Sequence, residues 1–153
     1  MTVNGERLLR AEIDKLTRVE RPRIVADIAE ALAQGDLREN AEFQYAKEEQ
    51  GFIEGRIADI ASKLSNVRVI NVLEIPASGK VIFGVTVKLI NLDTDEEVTY
   101  QIVGEDEADI KSGKLSVYSP IARALIGKSE GDEVVVKAPG GDIEYEICTV
   151  EHI

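Results

Sequence analysis

The chain has 153 residues and a mass of 16.8 kDa, room for one ordinary domain or two small ones. Its 29 acidic and 18 basic residues give a net charge of −11, which excludes a generally basic protein that coats nucleic acid by neutralising phosphates. One cysteine excludes a disulfide framework, no apolar run approaches the roughly 20 residues of a membrane helix, and Met1–Arg10 lacks a signal-peptide core, so a cytoplasmic chain without membrane partners is expected.

The first elements read as helices. Leu9, Ile13 and Leu16, then Ile24, Ile28 and Ala31, repeat at spacings of 4 and 3. Pro22 stands between the two sets, lacks a backbone donor, and should kink or restart the helix. Gln34-Gly35-Asp36-Leu37 is a short joint that returns the chain antiparallel. Phe43, Ala46, Gln50, Ile53, Ile57, Ile60, Leu64 and Val67 then form an unbroken heptad seam with one polar member. A helix over residues 39–69 would be about 45 Å long. Glu49, Arg56 and Lys63 recur beside the seam, as do Lys47 and Glu54, where a coiled coil places its flanking charges. Gly51 and Gly55 weaken the helix locally.

Composition changes across residues 71–79, from Ala, Leu, Glu and Arg to β-branched residues and glycine. The chain therefore divides into an N-terminal antiparallel two-helix coiled-coil hairpin, residues 1–75, and a C-terminal globular domain, residues 76–153. The second half alternates as strands do. Val81–Ile90 and Glu97–Val103 flank an acidic turn, and Glu133–Lys137 and Ile143–Val150 flank Pro139-Gly140-Gly141. Between them Ser119 is an N-cap, Pro120 suits the first helical turn, and Gly127 ends a short helix. The fold class is α+β: a helical hairpin and a small antiparallel sheet carrying one helix.

The joint of the hairpin carries the most chemistry. Asp36 and Glu39 are three residues apart, with Glu42 three further on. Magnesium takes six oxygens, so two carboxylates could complete a metal site with another molecule but hardly own one. The same Asp-x-x-Glu spacing is a capping box, with Asp36 as N-cap and Glu39 three residues into the helix. Lys47, Arg38 and Arg56 could meet phosphate but do not form one helical stripe, and Phe43 belongs to the packing seam. Cys148 lies in an apolar strand context and reads as a core thiol. The lone histidine, His152, stands at the end of the chain, an unpromising place for a catalytic relay.

Taken together, Arg21-Pro-Arg-Ile-Val, Gly35-Asp-Leu-Arg-Glu-Asn-Ala-Glu-Phe43, Glu49-Gln-Gly-Phe-Ile-Glu-Gly-Arg-Ile57, Lys63-Leu-Ser-Asn66, Lys80-Val-Ile-Phe-Gly84, Ser119-Pro-Ile-Ala-Arg123 and Pro139-Gly-Gly141 closely resemble the bacterial transcript cleavage factors of the Gre family, in order and spacing, from about Leu8 to Val150. The resemblance implies a coiled-coil hairpin and a C-terminal domain like the FK506-binding proteins. It also implies a partner, RNA polymerase. The hairpin enters the secondary channel, and its tip stimulates Mg²⁺-dependent hydrolysis of the backtracked RNA by the polymerase. On that reading the chain is an accessory factor rather than an enzyme. It has no cofactor of its own and no small-molecule substrate, and Mg²⁺ is shared with the polymerase active centre.

The tip acids of the family fall on Asp36 and Glu39, which would carry the catalytic assistance and hold the shared Mg²⁺. The adjoining aromatic falls on Phe43, and Lys47 matches one position of a basic patch that meets the 3′ end of the RNA, with Arg38 beside it. Leu32 and Gln34, at other patch positions, are uncharged, which favours release of short 3′ fragments over longer cuts. Polymerase docking is carried over onto Ser119, Pro120 and Ile121, flanked by Tyr118 and Leu125. Three rivals stand beside this reading: a non-cleaving regulator of the same architecture that inhibits from the channel, a peptidyl-prolyl isomerase using the aromatics Phe83, Tyr100, Tyr118 and Tyr145, and a coiled-coil scaffold.

Overall fold

The computed structural model describes residues 1–33 and 41–153. The contacts of the chain define two compact units, Glu6–Val67 and Met1–Gly5 with Arg68–Ile153.

The helical unit is built from α1 (Val3–Lys15), a π-helical turn (Leu16–Glu20), α2 (Arg21–Ala33) and α3 (Ala41–Asn66). The π turn has a cause in the sequence. Leu16 and Ile24 are eight residues apart, one more than a heptad, so the two apolar sets would drift out of phase on a regular helix. Arg21 N–H bonds the carbonyl of Leu16, five residues back, and this wider turn takes up the extra residue. It falls just ahead of Pro22, which has no donor to offer. Restored to phase, Ile24 is fully buried and packs with Ala46 and Ile53, with Leu16, Ile28 and Ile57 around them. Every member of the α3 seam from Phe43 to Val67 is buried or half-buried.

The charges beside the seam form ties between the helices. Arg21 donates to both carboxylate oxygens of Glu54 at 2.7 and 2.8 Å. Arg56 does the same to Glu12, and Arg23 reaches Glu49.

The other unit is a five-stranded sheet of order β3-β2-β1-β5-β4, with β1 Thr86–Asn91, β2 Glu97–Val103, β3 Lys114–Ser116, β4 Glu133–Ala138 and β5 Gly141–Glu151. Pairing is antiparallel except where β3 joins β2 in parallel. The strand expected from Val81 begins only at Thr86. Gly84 takes φ +90°, leaves the extended conformation, and passes so close to Val72 that a Cβ would lie 3.3 Å from it. Val81 instead exchanges hydrogen bonds with the segment after α4 (Pro120–Leu125), through Lys128 O and Gly127 N.

Val81, Val85, Val87, Leu89, Ile102, Leu125 and Ile147 form the fully buried centre of this unit. A bulge opposite Lys88–Leu89 leaves Cys148 unpaired, and beyond it the buried residue is Val150, not Thr149. The expectation of a core thiol is corrected: Cys148 follows inward-facing Ile147 and is half-buried.

The first residues of the chain join this unit. Ile70 N–H bonds Met1 O, and the Glu107 carboxylate accepts from Thr2 N (2.9 Å), Thr2 Oγ1 (2.6 Å) and Gly104 N (2.8 Å). Gly5 leaves room for it, since a Cβ there would fall 1.5 Å from Glu107 Oε1 and displace the carboxylate.

Candidate functional site

Two groups of site residues lie on different elements. On α3, Phe43 is half-buried at the start of the seam. Lys47, one turn on, is exposed, and its Nζ donates to Gln50 Oε1 at 3.2 Å. Asp36, Arg38 and Glu39 lie outside the described residues. Among the described residues, no group of three or more His, Cys, Asp or Glu side chains could hold a metal ion.

Further along the hairpin, α2 and α3 are tied by a charge network around Arg23. Arg23 Nε and Nη2 donate to Glu20 Oε2 at 3.1 and 2.9 Å, Nη1 donates to Asp27 Oδ2 at 3.0 Å, and Nη2 also reaches Glu49 on α3. Glu49, then Glu20, hold the guanidinium pKa further above its usual value. Sequence reading passed over Arg23, although Glu20 and Asp27 at three residues before and four after are a visible signal. Tyr45 and Phe52, a heptad apart, were also missed; both are more than 70% exposed.

The second group is at α4. Ser119 caps it, its Oγ accepting from Ala122 N at 3.2 Å, and Pro120 takes the first helical position. Ala122 and Leu125 fix the helix to the sheet as fully buried residues. Pro120 and Tyr118 are exposed and Ile121 is half-buried, so Tyr118, Ser119, Pro120 and Ile121 form one continuous outer stretch. Leu125 belongs to the core and cannot meet a partner from there.

His152 Nδ1 lies 3.1 Å from Val72 O, and the Cys148 thiol lies against the carbonyl of Glu146, so these two side chains form no relay with each other. The aromatics named for an isomerase pocket are divided: Tyr145 is in the core, Tyr100 packs against it, and Tyr118 is 63% exposed.

The family model described as transcription elongation factor, GreA/GreB N-terminal, matches residues 1–69, and the GreA/GreB C-terminal model matches residues 76–152. The chain belongs to the GreA/GreB family of transcription elongation factors. A transcription elongation factor GreA of Pseudomonas aeruginosa is 63% identical over 153 residues, covering 100% of this chain and 97% of the relative. Its counterpart in Thioalkalivibrio sulfidiphilus is 61% identical over the same shares. Among solved structures, GreA factor homolog 1 of Thermus thermophilus matches at 25% identity and TM-score 0.43, over 99% of this chain and 97% of that one. No described helix is long and apolar enough to cross a membrane.

Proposed function

We propose that this chain is an elongation factor that binds RNA polymerase in the cytoplasm and stimulates the polymerase's own hydrolysis of backtracked RNA, releasing short 3′ fragments and rescuing arrested complexes. The observation that carries this reading is the match of both family models, in order, over nearly all of the chain. It acts as an accessory factor, not an enzyme alone.

Asp36 and Glu39 are the working groups. Their carboxylates would help hold a Mg²⁺ shared with the polymerase active centre and would orient a water toward the scissile phosphodiester. When bound there, the ion offsets charge on the attacking and leaving oxygens. Phe43, Lys47 and Arg38 contact the RNA 3′ end beside them. Ser119, Pro120 and Ile121 dock on the polymerase, and the buried Ala122 and Leu125 behind them keep that stretch rigid.

The test is to add the protein to polymerase stalled and backtracked on a labelled transcript. Short 3′ fragments released in proportion to bound factor support the reading. Binding in the channel without any cleavage would overturn it in favour of the inhibitory regulator.

A further inference from the structure

We propose that Arg23 is a positioning residue for the tip carboxylates: by tying α2 to α3 through Glu49, it fixes the two helix ends between which Asp36 and Glu39 are carried. The inference rests on the function proposed above and assigns the control of its geometry.

Among the described residues, ion pairs that join the helices of the hairpin include Glu12–Arg56, Arg21–Glu54 and Arg23–Glu49. Arg23–Glu49 is the nearest of these to the helix ends. Glu49 is eight residues, about 12 Å, from Ala41, whereas Glu54 and Arg56 are about 20 and 22 Å away. Apolar packing thins in the same place. Around Ile24 and Ile53 the helices interlock through large side chains, but beyond them the fully covered residues are Ala31 and Ala46, and the larger Ile28 and Phe43 are only half-buried. An open groove runs between α2 and α3 there, lined by Arg23, Asp27, Ala31, Tyr45, Ala46 and Glu49. Two alanines with half-covered Ile28 and Phe43 resist sliding less than the interlocked isoleucines below them. A planar guanidinium gripping two carboxylates on its own helix and one on the other supplies a directional tie that alanine contact does not.

Exposed ion pairs add little to stability, so a role in positioning separates from a role in folding. The three pairs are compared through Arg23→Ala, Arg21→Ala and Arg56→Ala in the full chain. The readouts are the plateau rate of transcript cleavage at saturating factor, the factor concentration for half-maximal rate, and Tm. Since about 1 Å of misplacement can cost roughly 100-fold, Arg23→Ala is expected to lower the plateau about tenfold with unchanged half-saturation. Arg21→Ala and Arg56→Ala should have progressively smaller effects at similar Tm. Arg23→Lys, which keeps one tie, should recover part of the rate, and Glu49→Gln should lose it without touching Arg23.

A normal plateau for Arg23→Ala, or losses that follow Tm across the three variants, would overturn the inference and leave the functional reading standing. Failure of the unaltered protein to promote cleavage would overturn that reading, and this inference with it.

Discussion

Cys148 lies at an irregularity of the backbone: it follows inward-facing Ile147, is unpaired at the bulge, and is half-buried on β5. Partial burial pushes the thiol pKa up, the carboxylates of Glu146 and Glu97 push it further, and Lys88 opposes them. The folded state thus favours the protonated thiol. Its contribution to stability is present below the unfolded thiol's pKa of about 8.5 and is lost as pH rises through the higher folded value. Alkylation rate against pH is expected to have its midpoint above that of the urea-unfolded chain; coincident midpoints would contradict this. The sequence had suggested a core thiol from the apolar strand context of Cys148, and an extra residue in a ladder leaves no compositional mark.

At the scale of elements, the hairpin was the most legible part of the fold. Its seam could be read from spacing alone, because a period of 3.5 over eight residues in a row leaves few alternatives. Its interruption was half legible. Pro22 marked the place, but the one-residue excess between Leu16 and Ile24 is what selects a π turn over a kink. The sheet was less legible: β3 has three residues and pairs in parallel, and Glu107's hold on Thr2 spans 105 residues, a contact no local pattern announces. Two stability predictions follow from the helices. Gly51 and Gly55 face open space, with nothing within 4 Å of an added Cβ. Gly51→Ala and Gly55→Ala should each stabilise the chain by about 0.5–1 kcal/mol, read as a higher Tm; a lower Tm would mean these positions meet something the free chain lacks. Glu12 and Glu54 are held below the usual 4.5, each chiefly by a hydrogen bond, from Arg56 and Arg21 respectively. Depressed carboxylate pKa values give stability that is present above about 4.5 and lost as pH falls through the folded values. The urea midpoint of helical circular dichroism should therefore fall between pH 7 and about pH 3, less so in high salt. An unchanged midpoint would show that the pairs contribute nothing.

For the whole molecule, the candidate site was legible in a different way from the fold. Spacing alone favoured Asp36 and Glu39 as a capping box over half of a metal site, and only the resemblance across the chain reversed that preference. Physical reasoning explains why: a site that is complete only on its partner has too few donors to announce itself alone. Ser119 is similar, since an N-cap and a docking residue carry the same sequence signal. Its cap to Ala122 is seen, and its docking role is proposed. The function proposed above divides the labour: one unit holds the polymerase and the other delivers two carboxylates to it. The central claim is that these carboxylates, and not occupancy of the channel, produce cleavage. The direct measurement is the rate of 3′-fragment release from backtracked polymerase across a Mg²⁺ titration, with the protein and with its Asp36→Ala/Glu39→Ala form at equal bound fraction. The account predicts that the protein raises the rate and lowers the Mg²⁺ needed for half of it, while the doubly substituted form binds equally and does neither. Equal cleavage by the two forms would contradict it.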